Sequence, residues 1–570
     1  MDILVRPPGH LAKKIAFRWK RVAVGRELLL ALVIVTGACL RLSAIGRKTL
    51  WYDEAFSWWM AGRTAADIWR LSRLIDFHPP LYYGLLHLWT GWFGDHEAIL
   101  RLPSAAISIA ALPLVYALGR RLAGDTAALL ATALIATSPF HLYFGQEARM
   151  YALFAFACLL AMWGAAAIDQ AAGQPSGGGL RRRGWLAYVG GTALALWSHD
   201  AAVLFWAVAA VLLLSAGFGR QALRAGFLLR YALAQLAVLA LWSPWMIPAI
   251  EQILTDRGTT TMAVGDALTA LERLYFPLQG LPLPPRWEPP LVALILPALA
   301  GHVLWQTIRD PRWERVAVAV LWLVAPLLLF AVGPFVFHRA LRWDGAARAV
   351  IWTSIPAAVA IARAVVAYPK KLATTAVIGL LTLNLAGAAS YFRHPKARKE
   401  TIARHIAQRA KRGDVVVFYL PSGVILFDYY YVRFGGPDVI RRGIPADFPG
   451  RPGELRRAEW LLGRQMTEED IRRLEQYVRE NPRVWFVYGW TQDEPFPAGR
   501  IDGLVRVDIL PGAARVSLYE GDGEGDQGES SPWRKSKVSP RLPDAVPPGP
   551  AGGYPPGPSR MGHDRSLTTH

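Results

Sequence analysis

The residues best equipped for chemistry lie in one stretch, Arg47 to Tyr83, which begins RKTLWYDEAFSWW and ends DFHPPLYY. Asp53, Glu54, Asp76 and His78 stand there among Trp51, Trp58, Trp59, Phe77 and Tyr82. Vicinal acids beside an aromatic run suit a carboxylate held at a membrane–water boundary. Trp and Tyr rings settle at headgroup depth, with the apolar body buried and the polar edge wet. A carboxylate is a weak base at neutral pH, and a like charge beside it with aromatic walls around it is what strengthens one for general-base work. The bland alternative is an acidic pair in a wet loop.

The elements that must position these groups are membrane spans. Of the 570 residues, 53% are hydrophobic and 19% charged, too apolar a balance for an ordinary soluble enzyme. Runs of about 18–20 residues rich in Leu, Ala and Val read as transmembrane helices. A formal charge of +20 would fit nucleic acid, but much of the Arg and Lys flanks apolar spans. Topogenesis and anionic headgroups account for it, and no aromatic–basic nucleic-acid motif is present. Cys39 and Cys158 both fall in apolar runs and read as packed thiols, not as a disulfide or metal framework.

Residues 1–26 form a basic cytoplasmic head, with Lys13, Lys14, Arg18, Lys20, Arg21 and Arg26. The span after it, near Leu28–Ile45, is too long and too late for a cleavable signal and reads as a retained anchor. Basic short loops then set the orientation of about eleven crossings up to Tyr391. HPPLYYGLLHLWTGWF is apolar but short, and reads as a juxtamembrane or re-entrant helix. An outer loop is expected over Ala249–Pro290. On this topology Asp53, Glu54, His78, Gln146, Glu147, Arg149, His199, Asp200 and Arg348 all reach the outer side. Polar groups at membrane depth are costly unless they line a site, so their gathering argues for a shared cavity.

Residues 392–520 have the composition of a soluble domain. ARKETIARHIAQRAKRGD and TEEDIRRLEQYVRENP read as helices, the second capped by Thr467; DVVVFYL, VWFVYGW and LVRVDIL read as strands. The alternation predicts a small extracytoplasmic α/β domain. Residues 521–570 are Gly, Pro, Ser and charge without apolar periodicity, a disordered tail; its GDGEGDQGE run lacks the terminal acid of a Ca²⁺ loop.

Three strings, WYDEAFSWW, DFHPPLYYGLLHLW and SPFHLYFGQEARMYAL, together resemble the polyprenyl-phosphate-sugar-dependent glycosyltransferases of the GT-C fold. The likeness is to the bacterial branch that includes lipopolysaccharide-core sugar transferases, with aminoarabinose transferases and protein O-mannosyltransferases as more distant kin. It covers roughly residues 28–391, the bulk of a GT-C domain spanning 27–391. The resemblance implies an all-α polytopic bundle with an extracytoplasmic active site in the inner membrane. It also implies a polyprenyl-phosphate sugar donor, transfer with inversion, and an acceptor that is a lipopolysaccharide, another envelope glycan, a lipid or a protein.

Asp53 and Glu54 match the family's catalytic acidic pair, Asp53 as base. His78 matches the histidine before the two prolines, and Glu147 and Arg149 match the QEARMY string. Arg348 stands ahead of Pro356 without the family's usual tyrosine. A lipid phosphate leaving group calls for an Arg fork, and Arg149 and Arg348 are the favoured candidates over Arg257, Arg273 and Arg339. His78 and Glu147 would orient the acceptor or a divalent metal, although no ligand spacing demands a metal. Against these stand plainer roles: His78 capping the helix begun by Pro79 and Pro80, Glu147 and Arg149 pairing at a helix start, and His199-Asp200 capping a span. Two rivals from other classes remain. A non-catalytic carrier of polyprenyl-linked glycans would survive loss of Asp53. An envelope-assembly scaffold would depend on residues 392–520.

Overall fold

The computed structural model describes residues 9–76, 78–172, 178–220, 225–255, 301, 305, 348–394, 396, 400–448, 467–488, 504–509 and 515–520. Two compact units divide the chain. The first takes Met1–Lys48, Tyr52–Arg393 and Gly450–Gly463; the second takes Thr49–Trp51, His394–Pro449 and Arg464–His570.

The first unit is helical among its described residues. In order it contains α1 (Gly9–Leu42), α2 (Tyr52–Ala61), α3 (Ala65–Leu74), α4 (Leu81–Phe93) and α5 (Glu97–Ala123). Then follow α6 (Asp125–Thr137), α7 (Pro139–Gly145), α8 (Tyr151–Ala172), α9 (Gly178–Ser198), α10 (Ala202–Arg220) and α11 (Ala225–Thr255). A 3₁₀ turn at Ile351–Thr353 leads into α12 (Ser354–Val366) and α13 (Lys370–Arg393).

Local chemistry explains the boundaries near the acids. Asp53 and Glu54 occupy the first turn of α2, where carboxylates oppose the positive end of the helix dipole. Thr64 caps α3 by accepting from the Asp67 N–H at 3.2 Å. Two prolines precede α4, which exposes Leu85, Leu88, Trp92 and Phe93, as suits a juxtamembrane helix facing lipid. Gly124, at φ 85°, makes the turn from α5 into α6 that a side chain would strain.

Helices α8 and α9 approach closely because their contact is made of small residues. A Cβ on Gly191 would lie 2.6 Å from the Ala161 nitrogen and 2.7 Å from the Ala157 oxygen. Gly164 and Gly184 face each other in the same seam. Such stripes let backbones touch where hydrophobic drive between helices is absent.

Helices α5, α8, α11 and α13 are each long and apolar enough to cross a membrane, and α6 with α7 makes a fifth if that pair, bent by 58°, is one span. The expected eighth and ninth spans lie outside the described residues, so the count of about eleven is not matched one for one. One expectation is corrected. The outer loop was to open at Ala249, after Pro248, yet α11 stays helical to Thr255. Its continuation is held from outside the helix: Gln252 donates to the carbonyls of Ser72, Arg73 and Asp76, and Glu251 pairs with Arg73 at 2.8 Å.

The second unit contains α14 (Glu400–Ala407), β1 (Val415–Tyr419), α15 (Gly423–Tyr431), β2 (Ile440–Ile444), α16 (Glu468–Glu480), β3 (Arg483–Tyr488), β4 (Leu504–Ile509) and β5 (Arg515–Glu520). The sheet order is β2-β1-β3-β5-β4. Strands β2, β1 and β3 are parallel, and β3, β5 and β4 antiparallel. Strand β1 is buried along its whole length, the mark of a central parallel strand. Thr467 and Asp470 form a capping box at the start of α16. Strands β2 and β5 had no strong signal: IRRGI carries two arginines and RVSLYE is short. Leu50 belongs to this unit, fully buried, with its N–H donating to Tyr430 Oη at 2.7 Å.

Candidate active site

Adjacent acids on a helix point in directions about 100° apart, and α2 uses that divergence to give its pair different surroundings. Glu54 faces inward. Its carboxylate receives Arg101 Nε at 2.7 Å and Nη2 at 2.8 Å, a two-pronged pair in which the side chains are 0% and 1% exposed. Arg101 also donates to the carbonyls of Ile45 and Lys48, and the Ala148 N–H donates to Glu54 Oε1 at 3.1 Å. Every strong site on this carboxylate is thus engaged in holding α2 against α5 and the QEAR turn.

Asp53 faces the other way. Its side chain keeps 21% exposure and accepts from Arg348 Nη1 at 3.1 Å, with the Arg348 side chain 33% exposed. Arg348 lies ahead of the 3₁₀ turn, and its Cζ stands 5.5 Å from the Tyr151 ring centroid.

Arg149 approaches from the turn between α7 and α8. Its Nη1 donates to Tyr83 Oη at 2.8 Å, and Tyr83 in turn donates to Asp76 at 2.5 Å. The same Nη1 reaches Ser57 Oγ at 3.5 Å. The Arg149 carbonyl accepts from Ser104, itself bonded to Tyr82. Burial pushes the Tyr83 phenol well above its ordinary 10, so it stays a donor to Asp76.

The histidines complete the wall. His78 and His199 have ring centroids 4.7 Å apart, His199 stacks on Phe154 at 5.0 Å, and Tyr151 stands edge-on to His78. Burial, then His199, Arg149 and Arg348, hold His78 well below the usual 6.5; burial, then Arg348 and Arg149, bring His199 down to about 3. Both rings are therefore neutral at physiological pH, in a field made positive by two guanidinium groups. Among the described residues, His78 Nδ1, Arg149 Nε and Tyr151 Oη are buried without a hydrogen-bond partner. Glu147 is fully buried and lies within electrostatic reach of Arg348.

The structure therefore brings Asp53, His78, Glu147, Arg149 and Arg348 into one neighbourhood and sets Glu54 in its supporting wall. As the side chains stand, Asp53 pairs with Arg348 and Glu54 with Arg101. No three His, Cys, Asp or Glu residues cluster as a metal site among the described residues.

Sequence reasoning missed Arg101, Tyr83 and Tyr151; it gathered His199 with the outer-side polar residues but left a capping role open for it. Arg101 reads locally as an ordinary charge at a helix start, with nothing to mark its depth. Tyr83 and Asp76 each carried a weak signal, a polar-tipped ring and an acid beside an apolar helix.

Residues 77–247 match the family model described as dolichyl-phosphate-mannose-protein mannosyltransferase. No curated protein matches the chain. The crystal structure of ArnT from Cupriavidus metallidurans in the apo state aligns with a TM-score of 0.58 at 14% identity, covering 87% of this chain and 98% of that one. The same enzyme bound to undecaprenyl phosphate aligns with a TM-score of 0.56 at 12% identity, over 87% and 99%. The oligosaccharyltransferase AglB from Archaeoglobus fulgidus, in complex with an inhibitory peptide and a dolichol-phosphate, gives 0.48 at 13% identity, over 81% and 69%. The chain has the GT-C glycosyltransferase fold.

Proposed function

We propose that this protein is an integral-membrane glycosyltransferase, transferring a sugar with inversion from a polyprenyl-phosphate donor to an acceptor hydroxyl at the extracytoplasmic face. The observation that carries this reading is a partly exposed carboxylate, Asp53, beside two arginines and two neutral histidines within a GT-C fold. A site that combines a base with a positive field suits abstraction of a proton near a departing phosphate.

In the proposed step Asp53 accepts the acceptor hydroxyl proton as that oxygen attacks the anomeric carbon. The bond from that carbon to the phosphate oxygen breaks, its electron pair leaving with the polyprenyl phosphate. The second negative charge arising on the phosphate is met by Arg348 and Arg149. Before this, as the donor arrives, Arg348 trades its bond to Asp53 for one to phosphate, which frees the carboxylate. His78, neutral and with Nδ1 unpartnered, orients donor or acceptor by hydrogen bonding, and Glu147 sets the charge balance beneath Arg348. Glu54 serves by holding the α2 first turn in place. An envelope glycan such as lipopolysaccharide, a lipid or a protein supplies the hydroxyl.

The test is transfer of radiolabelled sugar from mixed polyprenyl-phosphate sugars to envelope extracts, comparing wild type with Asp53→Asn in membranes at equal expression. Label transferred by wild type and lost in the variant is the expected result. Equal transfer by both removes Asp53 from the mechanism, and no transfer by either favours a carrier.

A further inference from the structure

Two chain breaks leave backbone carbonyls without intrahelical donors, and a side chain distant in sequence closes each. The first is the 58° bend between α6 and α7. Pro139 has no N–H, so the Ile135 carbonyl loses the donor that a continuous helix would supply. The second is the C-terminus of α1, whose last carbonyls have no intrahelical donors.

Arg41, near the end of α1 and fully buried, reaches into the first break. Its Nη1 donates to the Ala136 carbonyl at 2.9 Å and its Nη2 to the Ile135 carbonyl at 3.2 Å, while Nε donates to Ser108 Oγ at 2.7 Å. Among the described residues Arg41 bonds a hydroxyl and carbonyls rather than a carboxylate, and its charge faces the negative end of the α6 dipole. Gly37 and Gly145 make the room: a Cβ on Gly145 would meet Ser108 Oγ at 3.0 Å and Arg41 Cγ at 3.5 Å.

Gln146, the C-cap of α7, closes the second break. Its Nε2 donates to the carbonyls of Leu40, Arg41 and Ser43 at 3.2, 2.9 and 2.7 Å, and its Oε1 accepts from Tyr391 Oη at 2.9 Å. The next residues are those of the site. Ala148 gives its N–H to Glu54, and Arg149 projects to Tyr83 and Ser57.

We infer that Arg41 and Gln146 form a clasp of positioning residues, Arg41 from α1 capping the end of α6 and Gln146 at the end of α7 capping α1, and that this clasp sets where Arg149 stands. The clasp touches neither Asp53 nor Arg348, so it governs anion binding and not proton transfer. This assignment of consequence rests on the glycosyltransferase reading of the site; the placement itself does not.

The experiment compares wild type with Arg41→Lys, Gln146→Met and Ser108→Ala in full-length purified protein. Lysine keeps the charge but cannot fork onto two carbonyls and a hydroxyl at once. Ser108→Ala removes one partner of Arg41 and serves should the other variants not fold. Hydrogen exchange of a peptide spanning residues 146–150 reports the turn directly, whatever the activity. Exchange should quicken about tenfold or more in each folded variant, the scale expected for losing a hydrogen bond to a charged group. The kcat/KM for the polyprenyl-phosphate sugar should fall by a similar factor while its pH profile holds. Unchanged exchange in a folded Arg41→Lys or Ser108→Ala overturns the clasp. Quickened exchange with kcat/KM unchanged, or with a shifted pH profile, overturns its assignment to anion binding. Should wild type transfer no sugar, the glycosyltransferase reading fails while the exchange result still decides the clasp.

Discussion

Asp53 and Glu54 are neighbours of nearly the same chemistry, yet their amides should fail in opposite ways. Glu54→Gln replaces a carboxylate that accepts two bonds from Arg101 and one from the Ala148 N–H, in a site with side chains 0% and 1% exposed. The glutamine retains one acceptor oxygen and turns its NH2 toward the guanidinium, donor against donor. Arg101 then keeps its charge without a carboxylate to meet it, the Ile45 and Lys48 carbonyls being among its remaining partners. Removing one partner of a buried ion pair costs about 3–5 kcal/mol. At 1.4 kcal/mol per decade that lowers the folded-to-unfolded ratio by roughly two to three and a half orders of magnitude. Asp53→Asn touches a pair that is 21% and 33% exposed, where water shares the load and a salt bridge contributes about 0–1 kcal/mol. Thermal unfolding in detergent, read beside sugar transfer in membranes, separates the two. Asp53→Asn should melt near wild type and transfer nothing; Glu54→Gln should melt far lower and lose transfer in proportion to folded protein. A Glu54→Gln protein as stable as wild type yet inactive, beside an active Asp53→Asn, would refute the division of roles and make Glu54 the base.

Two further outcomes follow from the same geometry. Gly191→Ala places a Cβ against backbone atoms of Ala161 and Ala157 that cannot yield, so α9 must shift and stability should fall by about 1–3 kcal/mol. Gly190→Ala, whose Cβ meets nothing within 4 Å, should be neutral or slightly stabilising in the same melting assay, and equal effects at both positions would contradict the close α8–α9 seam. His199 has a folded value near 3 against an ordinary 6.5, so below about 6.5 the unfolded chain binds the proton that the folded one refuses. Stability should be full above about pH 6.5 and decline as pH falls toward 3. His199→Gln should flatten part of that decline, with His78 contributing to the remainder, and an unchanged slope in unfolding midpoints across pH 7.5 to 5 would refute the burial argument.

Much of this was legible in the chain itself because hydrophobic length and local spacing are properties of sequence. Apolar runs predicted most of the described helices from α1 to α13, and aromatic interleaving located the acids. The three strings predicted the GT-C fold, and the alternation after Phe392 predicted three of the five strands. Interrupted or charged segments escaped. Strand β2 carries Arg441 and Arg442 and pairs at the edge of its sheet, where one face needs no apolar residues. The helical end of α11 depends on Gln252 reaching carbonyls of α3 and the loop after it, bonds that no local pattern announces.

The division of labour at the site was decided only by packing. DE in sequence is a symmetrical pair; on a helix the two side chains diverge, and which one meets a buried arginine depends on how α5 crosses α2. Arg101 is unremarked in its own segment, and its value comes from three chain segments converging on it. His78 and His199 are more than a hundred residues apart, and their shared neutrality comes from burial beside Arg149 and Arg348, which reach them from two other turns. Residue types and spans are local information, whereas burial, charge pairing and hydrogen-bond partnership are relations between distant segments, and these came into being only when the helices packed.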